Sequence, residues 1–118
     1  MKVKRGDVVL AWYPFASGVG GKRRPCVVVL NDEDNRKLTN TVVVQITSNL
    51  SRSKDKSHFL VDASTPDGQK SGLLHDSLVS CNNIATIETS LIDRVIGSLE
   101  GQHLQQLERC LKATFDLA

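Results

Sequence analysis

Pro25-Cys26-Val27-Val28-Val29-Leu30 and Thr41-Val42-Val43-Val44-Gln45-Ile46-Thr47 are the two runs whose reading decides the fold. Both are rich in β-branched residues, which lose little freedom on an extended backbone and pack well on a pleated surface. Neither alternates apolar with polar positions. Continuous apolar strands of this kind suit the middle of a small barrel or sheet covered on both faces. Between them, Asn31-Asp32-Glu33-Asp34-Asn35 carries turn chemistry. Upstream, Asp7-Val8-Val9-Leu10-Ala11-Trp12 is a further apolar run that ends at Tyr13-Pro14, and Phe15 to Lys22 reads as an irregular loop holding Gly18, Gly20 and Gly21. Downstream, Ser57-His58-Phe59-Leu60-Val61 is a fourth strand and Thr65-Pro66-Asp67-Gly68 a turn. Ser77-Leu78-Val79-Ser80-Cys81 and Ile84-Ala85-Thr86-Ile87 follow as a fifth and sixth, and Arg94-Val95-Ile96-Gly97 adds one more.

The tail changes period. Leu104, Leu107, Leu111 and Phe115 recur at helical spacing, which predicts one amphipathic helix of about four turns packed on the sheet. His103 falls on its solvent side, and Thr89-Ser90-Leu91-Ile92-Asp93 reads as a capped short turn of helix before it. There is no internal repeat, low-complexity segment or linker. The expectation is one domain over residues 1–118, mainly β with α (α+β), as a small barrel-like β structure with a C-terminal amphipathic helix.

Composition excludes several classes. A chain of 118 residues with 40% hydrophobic and 24% charged residues is globular in balance, not disordered. No apolar run approaches the ~18–20 residues of a membrane span, and the start lacks a signal-peptide core. Cys26, Cys81 and Cys110 are widely spaced and form no CxxC pair, so they read as reduced, buried thiols. A catalytic cysteine is outweighed by the apolar strands around Cys26 and Cys81. A cytoplasmic domain without metal or cofactor is expected. The net charge of +2 hides an asymmetry: residues 1–60 carry +6 and residues 61–118 carry −4. Such a division points to a polyanion or a complementary protein partner.

Two short stretches carry candidate chemistry. In Lys22-Arg23-Arg24-Pro25, three cations stand where a glycine-rich loop enters a buried strand, and Pro25 restricts the backbone behind Arg24. A guanidinium so placed can be aimed at a phosphate as a fork, although a solvated loop accounts for the charges equally well. In Gln45-Ile46-Thr47-Ser48-Asn49 a strand ends in adjacent hydroxyls, with Arg52, Lys54 and Lys56 soon after. Those hydroxyls can hold a phosphate oxygen or an attacking group; an ordinary turn is the commoner outcome. His58 and His75 are candidate proton shuttles. His75-Asp76-Ser77 is not a triad, because neighbours on one strand point to opposite faces. No HExxH, Walker loop or nucleophile elbow is present.

The order of these motifs resembles the MazF/PemK family of toxins. Arg5-Gly6-Asp7-Val8-Val9-Leu10, the glycine-bearing loop, Arg24-Pro25-Cys26-Val27-Val28-Val29 with Asn31-Asp32, and Val44-Gln45-Ile46-Thr47-Ser48 carry the likeness. Gly72-Leu73-Leu74-His75-Asp76-Ser77-Leu78-Val79, Thr86-Ile87-Glu88, Leu91, Arg94, Ile96-Gly97 and Leu99 continue it over nearly the whole chain. The resemblance implies a small dimeric SH3-like, PemK-type barrel that cuts single-stranded RNA at short sequences without a metal. It implies a cognate antitoxin, MazE-like, whose acidic disordered C-terminal segment would fit a basic groove. By the same resemblance Arg24 and Thr47 are catalytic, with Ser48 alongside and Ser77 near the RNA path; the basic front half sets that path over residues 15–24 and 48–56, which adds Lys22, Arg23, Arg52 and Lys54 as expected RNA contacts, with Asn83 a further one. The substrate's 2′-hydroxyl would attack the adjacent phosphate, giving a cyclic phosphate and a 5′-hydroxyl. Arg24 would stabilise the phosphate charge and cannot be the base, which stays unassigned.

The chain departs from the family where many members read Cys-Asp-Gln-x-Arg-Thr-Ile-Asp. Here the run is Cys81-Asn82-Asn83-Ile84-Ala85-Thr86-Ile87-Glu88, so Asn82 replaces an acid and Ala85 an arginine. That departure keeps two other readings open: a non-nucleolytic toxin of the CcdB kind that binds DNA gyrase, and a catalytically inactive relative. With only 4% aromatic residues, stacking on Trp12, Tyr13 or Phe15 is limited, and phosphate contacts should dominate RNA binding.

Overall fold

The computed structural model describes residues 2–118. Its six strands are β1 (Asp7–Pro14), β2 (Gly21–Val28), β3 (Asn40–Thr47), β4 (His58–Val61), β5 (Ser77–Glu88) and β6 (Ile92–Ser98). They form one antiparallel sheet in the order β4-β5-β3-β2-β1-β6. Three helices, α1 (Asp32–Lys37), α2 (Pro66–Lys70) and α3 (Gln102–Thr114), and a 3-10 turn at Thr89–Leu91 complete the chain. The α+β class with a C-terminal helix is as expected from the sequence.

The unbroken apolar runs have the physical reason proposed for them. Val27, Val44 and Ile46 enter one core with Phe59, Val79, Cys81 and Leu107. Cys26, Val28 and Val43 face the other way, into a second core with Val9, Ala11, Tyr13 and Ile87. Successive residues of a strand point to opposite faces, so a strand buried on both sides needs apolar side chains at every position.

The barrel is not closed by hydrogen bonds, however. β4 and β6 are the two edges of the sheet and do not pair with each other. The chain leaving β4 turns into α2, and a Cβ on Gly97 of β6 would strike the carbonyls of Lys70 and Ser71 at the end of that helix. Gly72, with φ +75°, lies as closely on the carbonyl of Ile96. Helix-end backbone packs against β6 there, and no ladder is formed.

Several boundaries differ from the sequence reading. Lys22-Arg23-Arg24 belong to β2, not to a loop, because the β1–β2 pairing runs on through Ala11 with Arg24 and Tyr13 with Lys22 to Pro14 with Gly21. Asn31–Asn35 is not a turn: Asn31 caps α1 by accepting the Asp34 N–H at 2.9 Å, and the helix follows. Thr65 caps α2 in the same way, accepting from Gly68. The expected fifth and sixth strands are one, β5, interrupted by a bulge. Gln45 pairs with Ser80 and Val44 with Ile84, which leaves Cys81, Asn82 and Asn83 without partners on β3. The turn at Thr89–Leu91 lacks the expected side-chain cap.

The final helix is rotated from its expected face. His103, Leu107 and Cys110 are its buried residues, Leu104 and Leu111 flank them, and Phe115 lies beyond the helix and exposed. His103 is therefore not a surface residue. It stacks on Phe59 of β4, ring centroids 6.3 Å apart. Leucine spacing located the helix, but the β4–β5 surface beneath it selected which side goes down.

Candidate active site

β3 and β2 build the site at the end where their ladder stops. The last pairs are Val27 with Val44 and Cys26 with Gln45. Arg24 and Thr47 each lie two residues beyond the last pair, Cys26 with Gln45, and period-two alternation directs them to the same side as that pair. Pro25, which has no N–H, is the first residue beyond the pairing with β3. Arg24 and Thr47 are half-buried, so their stems are held by the sheet while their polar ends reach the surface.

A cleft of about 600 Å³ opens at this point. It is lined by Lys22, Arg23, Arg24, Thr47, Ser48 and Ser77, six of the nine residues expected in the site. Thr47 Oγ1 accepts the Asn49 N–H at 3.1 Å, which leaves its O–H to donate to a ligand. Ser77 Oγ donates to the His75 carbonyl at 2.9 Å.

Arg52 and Asn83 lie in an adjoining polar cleft of about 520 Å³ that Thr47 also lines. A third cleft, about 650 Å³, joins Arg24 to Asn83 past Gln45. Eight of the expected residues thus border one connected depression. Lys54 does not: it is exposed and lines none of the three clefts.

Further residues line these clefts, among them His58 and His75, the candidate proton shuttles of the sequence, and two that it did not single out for the site, Arg94 and Ser80. His75 and Arg94 line the first cleft, and Gln45, His58 and Ser80 line the second. Gln45 stands two residues before Thr47 in the stretch singled out from the sequence and so shares its face of the strand. Ser80 gives no signal of its own in the sequence, because it meets His58 only across the β4–β5 ladder.

The His58 network fixes its own protons. Asn83 Nδ2 donates to Ser80 Oγ at 2.7 Å, and Ser80 Oγ donates to Asn82 Oδ1 at 3.0 Å. Ser80 has no second proton, so His58 Nε2, 3.0 Å away, is the donor of that contact, and Nδ1 accepts from Ser57 Oγ at 3.1 Å. The β5 bulge is what carries Asn82 and Asn83 to the rim.

The cysteines are all free and buried. Burial pushes the Cys26 thiol up to about 12, against a smaller opposing pull from Arg24, and burial raises Cys81 to about 12 as well. A thiol held protonated is no nucleophile, so Cys26 serves the core beneath the site. Burial likewise raises Tyr13 to about 12. No group of three His, Cys, Asp or Glu side chains able to hold a metal occurs among the described residues. No helix among them is long and apolar enough to cross a membrane.

The arrangement can grip a phosphate between a fork of cations and two hydroxyls. The chain is 29% identical over 118 residues to the endoribonuclease EndoA of Bacillus subtilis, covering 99% of this chain and 97% of that one. Its fold matches the Mycobacterium tuberculosis toxin MazF-mt6 with a TM-score of 0.75 at 27% identity, covering 95% and 98% of the two chains. It also matches the MazE-MazF structure from Deinococcus radiodurans with a TM-score of 0.72 at 15% identity over the full length of both, a likeness of fold alone. The model of the PemK-like, MazF-like toxins matches residues 4–115. The chain therefore belongs to the PemK-like, MazF-like toxins of type II toxin-antitoxin systems.

Proposed function

We propose that this toxin is an endoribonuclease that cuts single-stranded RNA, mRNA in the cell, with Arg24 and Thr47 as its catalytic residues. The observation that carries the reading is their position: 23 residues apart in sequence, they line one cleft just beyond the end of the β2–β3 ladder, together with further cations. In the reaction the substrate's 2′-hydroxyl attacks the adjacent phosphorus, the P–O5′ bond breaks, and a cyclic phosphate and a free 5′-hydroxyl result. Arg24 stabilises the negative charge gathering on the phosphate oxygens. Thr47 and Ser48 donate hydrogen bonds to the same group, and Lys22, Arg23, Arg52, Ser77 and Asn83 bind the flanking nucleotides. Lys54 contributes only to the surrounding potential.

Membership of a toxin-antitoxin family supports a cognate antitoxin as partner. An acidic segment laid in this basic depression would block the substrate path. Action as a homodimer in the cytoplasm completes the reading.

The test is incubation of the purified protein with varied RNAs in the presence of chelator, wild type beside Arg24→Ala and Thr47→Ala. Cleavage by wild type, with cyclic phosphate ends, and its loss in both variants is the expected result. Intact RNA together with inhibited supercoiling by gyrase would replace the reading with that of a gyrase-binding toxin.

A further inference from the structure

The cleavage just described needs a group to take the proton of the attacking 2′-hydroxyl. Neither assigned residue can do so. Guanidinium stays protonated in proteins, and a threonine hydroxyl is no base. The cleft that holds Arg24 and Thr47 has no carboxylate in its lining. Its ionisable side chains are Lys22, Arg23 and Arg24 from β2, Arg94 from β6, and His75. Of these side-chain types only imidazole exchanges a proton readily near neutrality.

The other histidine nearby is unsuited. His58 is buried, 8% exposed, and both ring nitrogens are engaged by the hydroxyls of Ser57 and Ser80. His75 is the opposite case. It is exposed, and its ring forms no hydrogen bond among the described residues. Its backbone is nevertheless held, by Ser77 Oγ on its carbonyl at 2.9 Å and by Gly72 lying against β6. The neighbouring Asp76 is turned away to accept the Ala63 N–H at 2.9 Å, so it does not pair with the ring.

We infer that His75 is the general base of this active site, an inference that rests on the endoribonuclease reading above. A ring nitrogen takes the 2′-hydroxyl proton as the O2′–P bond forms. The P–O5′ bond breaks, the leaving 5′-oxygen takes a proton from water, and the imidazolium returns its proton to solvent. The four surrounding cations hold the phosphate. This supplies the proton acceptor in a chain that has Asn82 where many relatives carry an acid.

The experiment is single-turnover cleavage of an RNA oligonucleotide across pH by wild type, His75→Asn, His75→Lys and His75→Ala. The expected result is a loss of about a hundredfold or more in His75→Asn, with the rising limb of the pH profile gone. Binding of the same oligonucleotide with a 2′-deoxy residue at the cut site should change by less than about threefold, since a base acts on the reaction more than on binding. Added imidazole should restore His75→Ala, and His75→Lys should stay slow. The melting temperature should not move, the residue being exposed. Recovery by His75→Lys would overturn the inference, because only charge would then matter. Wild-type rates and an intact pH profile in His75→Asn would overturn it while leaving the endoribonuclease reading in place. A wild-type chain that cuts no RNA would overturn both.

Discussion

His58 and Ser80 are cross-strand partners in the β4–β5 ladder, and their side chains also meet, Nε2 to Oγ, at 3.0 Å. Ser80 Oγ is the hub of this network, receiving His58 and Asn83 and donating to Asn82. Ser80→Ala strands a buried imidazole N–H and frees the Asn83 amide. A stability loss of about 1–3 kcal/mol is expected, read from urea unfolding. Cleavage should fall far less than in Arg24→Ala, since the network orients the rim and leaves the phosphate grip intact.

Arg24→Lys distinguishes a fork from a point charge. Lysine keeps the charge but cannot offer two parallel N–H donors to one phosphate. The lysine variant should cleave at least tenfold more slowly than wild type, and Arg24→Ala about 10²–10³-fold more slowly. Arg24 is only half-buried, so both variants should keep a cooperative urea transition.

Salt dependence should sort the basic residues. RNA affinity should fall linearly in a log–log plot against salt, and each phosphate contact removed should reduce the slope by about 0.7, the value for single strands. Lys22→Ala and Arg52→Ala, both on the depression, should do so. Lys54→Ala, which lies off it, should leave the slope unchanged.

The buried thiols predict an alkaline limit to stability. In the unfolded chain a cysteine loses its proton near the ordinary value of 9.0, whereas folded Cys26 and Cys81 hold theirs up to about 12. The native state therefore binds more protons between those values. The stabilisation is complete below the unfolded pKa and is lost as pH rises towards the folded one. The urea midpoint should fall as pH rises from about 9 towards about 12, and less steeply in Cys26→Ala measured against its own neutral value. Folded protein should resist thiol alkylation over the same range.

Gly97→Ala tests the open side of the sheet. A methyl group there meets the carbonyls of Lys70 and Ser71, so α2 must move away from β6. A cost of about 1–3 kcal/mol is expected from overpacking. Because Gly72 and His75 follow directly on α2, cleavage should fall in this variant even at temperatures where it remains folded.

The strands, the C-terminal helix and the two motifs bearing Arg24 and Thr47 are legible in the chain itself. They rest on local chemistry: β-branched runs need extension, leucines at helical spacing need a surface, and cations beside a proline-bearing strand need a ligand or water. Relations across the sheet are not local. The β1–β2 register made Lys22-Arg23-Arg24 strand residues, the bulge at Cys81-Asn82-Asn83 joined two expected strands into one, and the β4–β5 surface chose His103 over Phe115 for burial. The same holds for the site. Sequence order named Arg24 and Thr47, but only the neighbouring places of β2 and β3 in the sheet brought them to one cleft, and the backbone at Gly72 and Gly97 packs closely where His75 joins it. Propensity acts between neighbours along the chain, whereas register and close backbone contact are settled by residues far apart in it, once the core has formed.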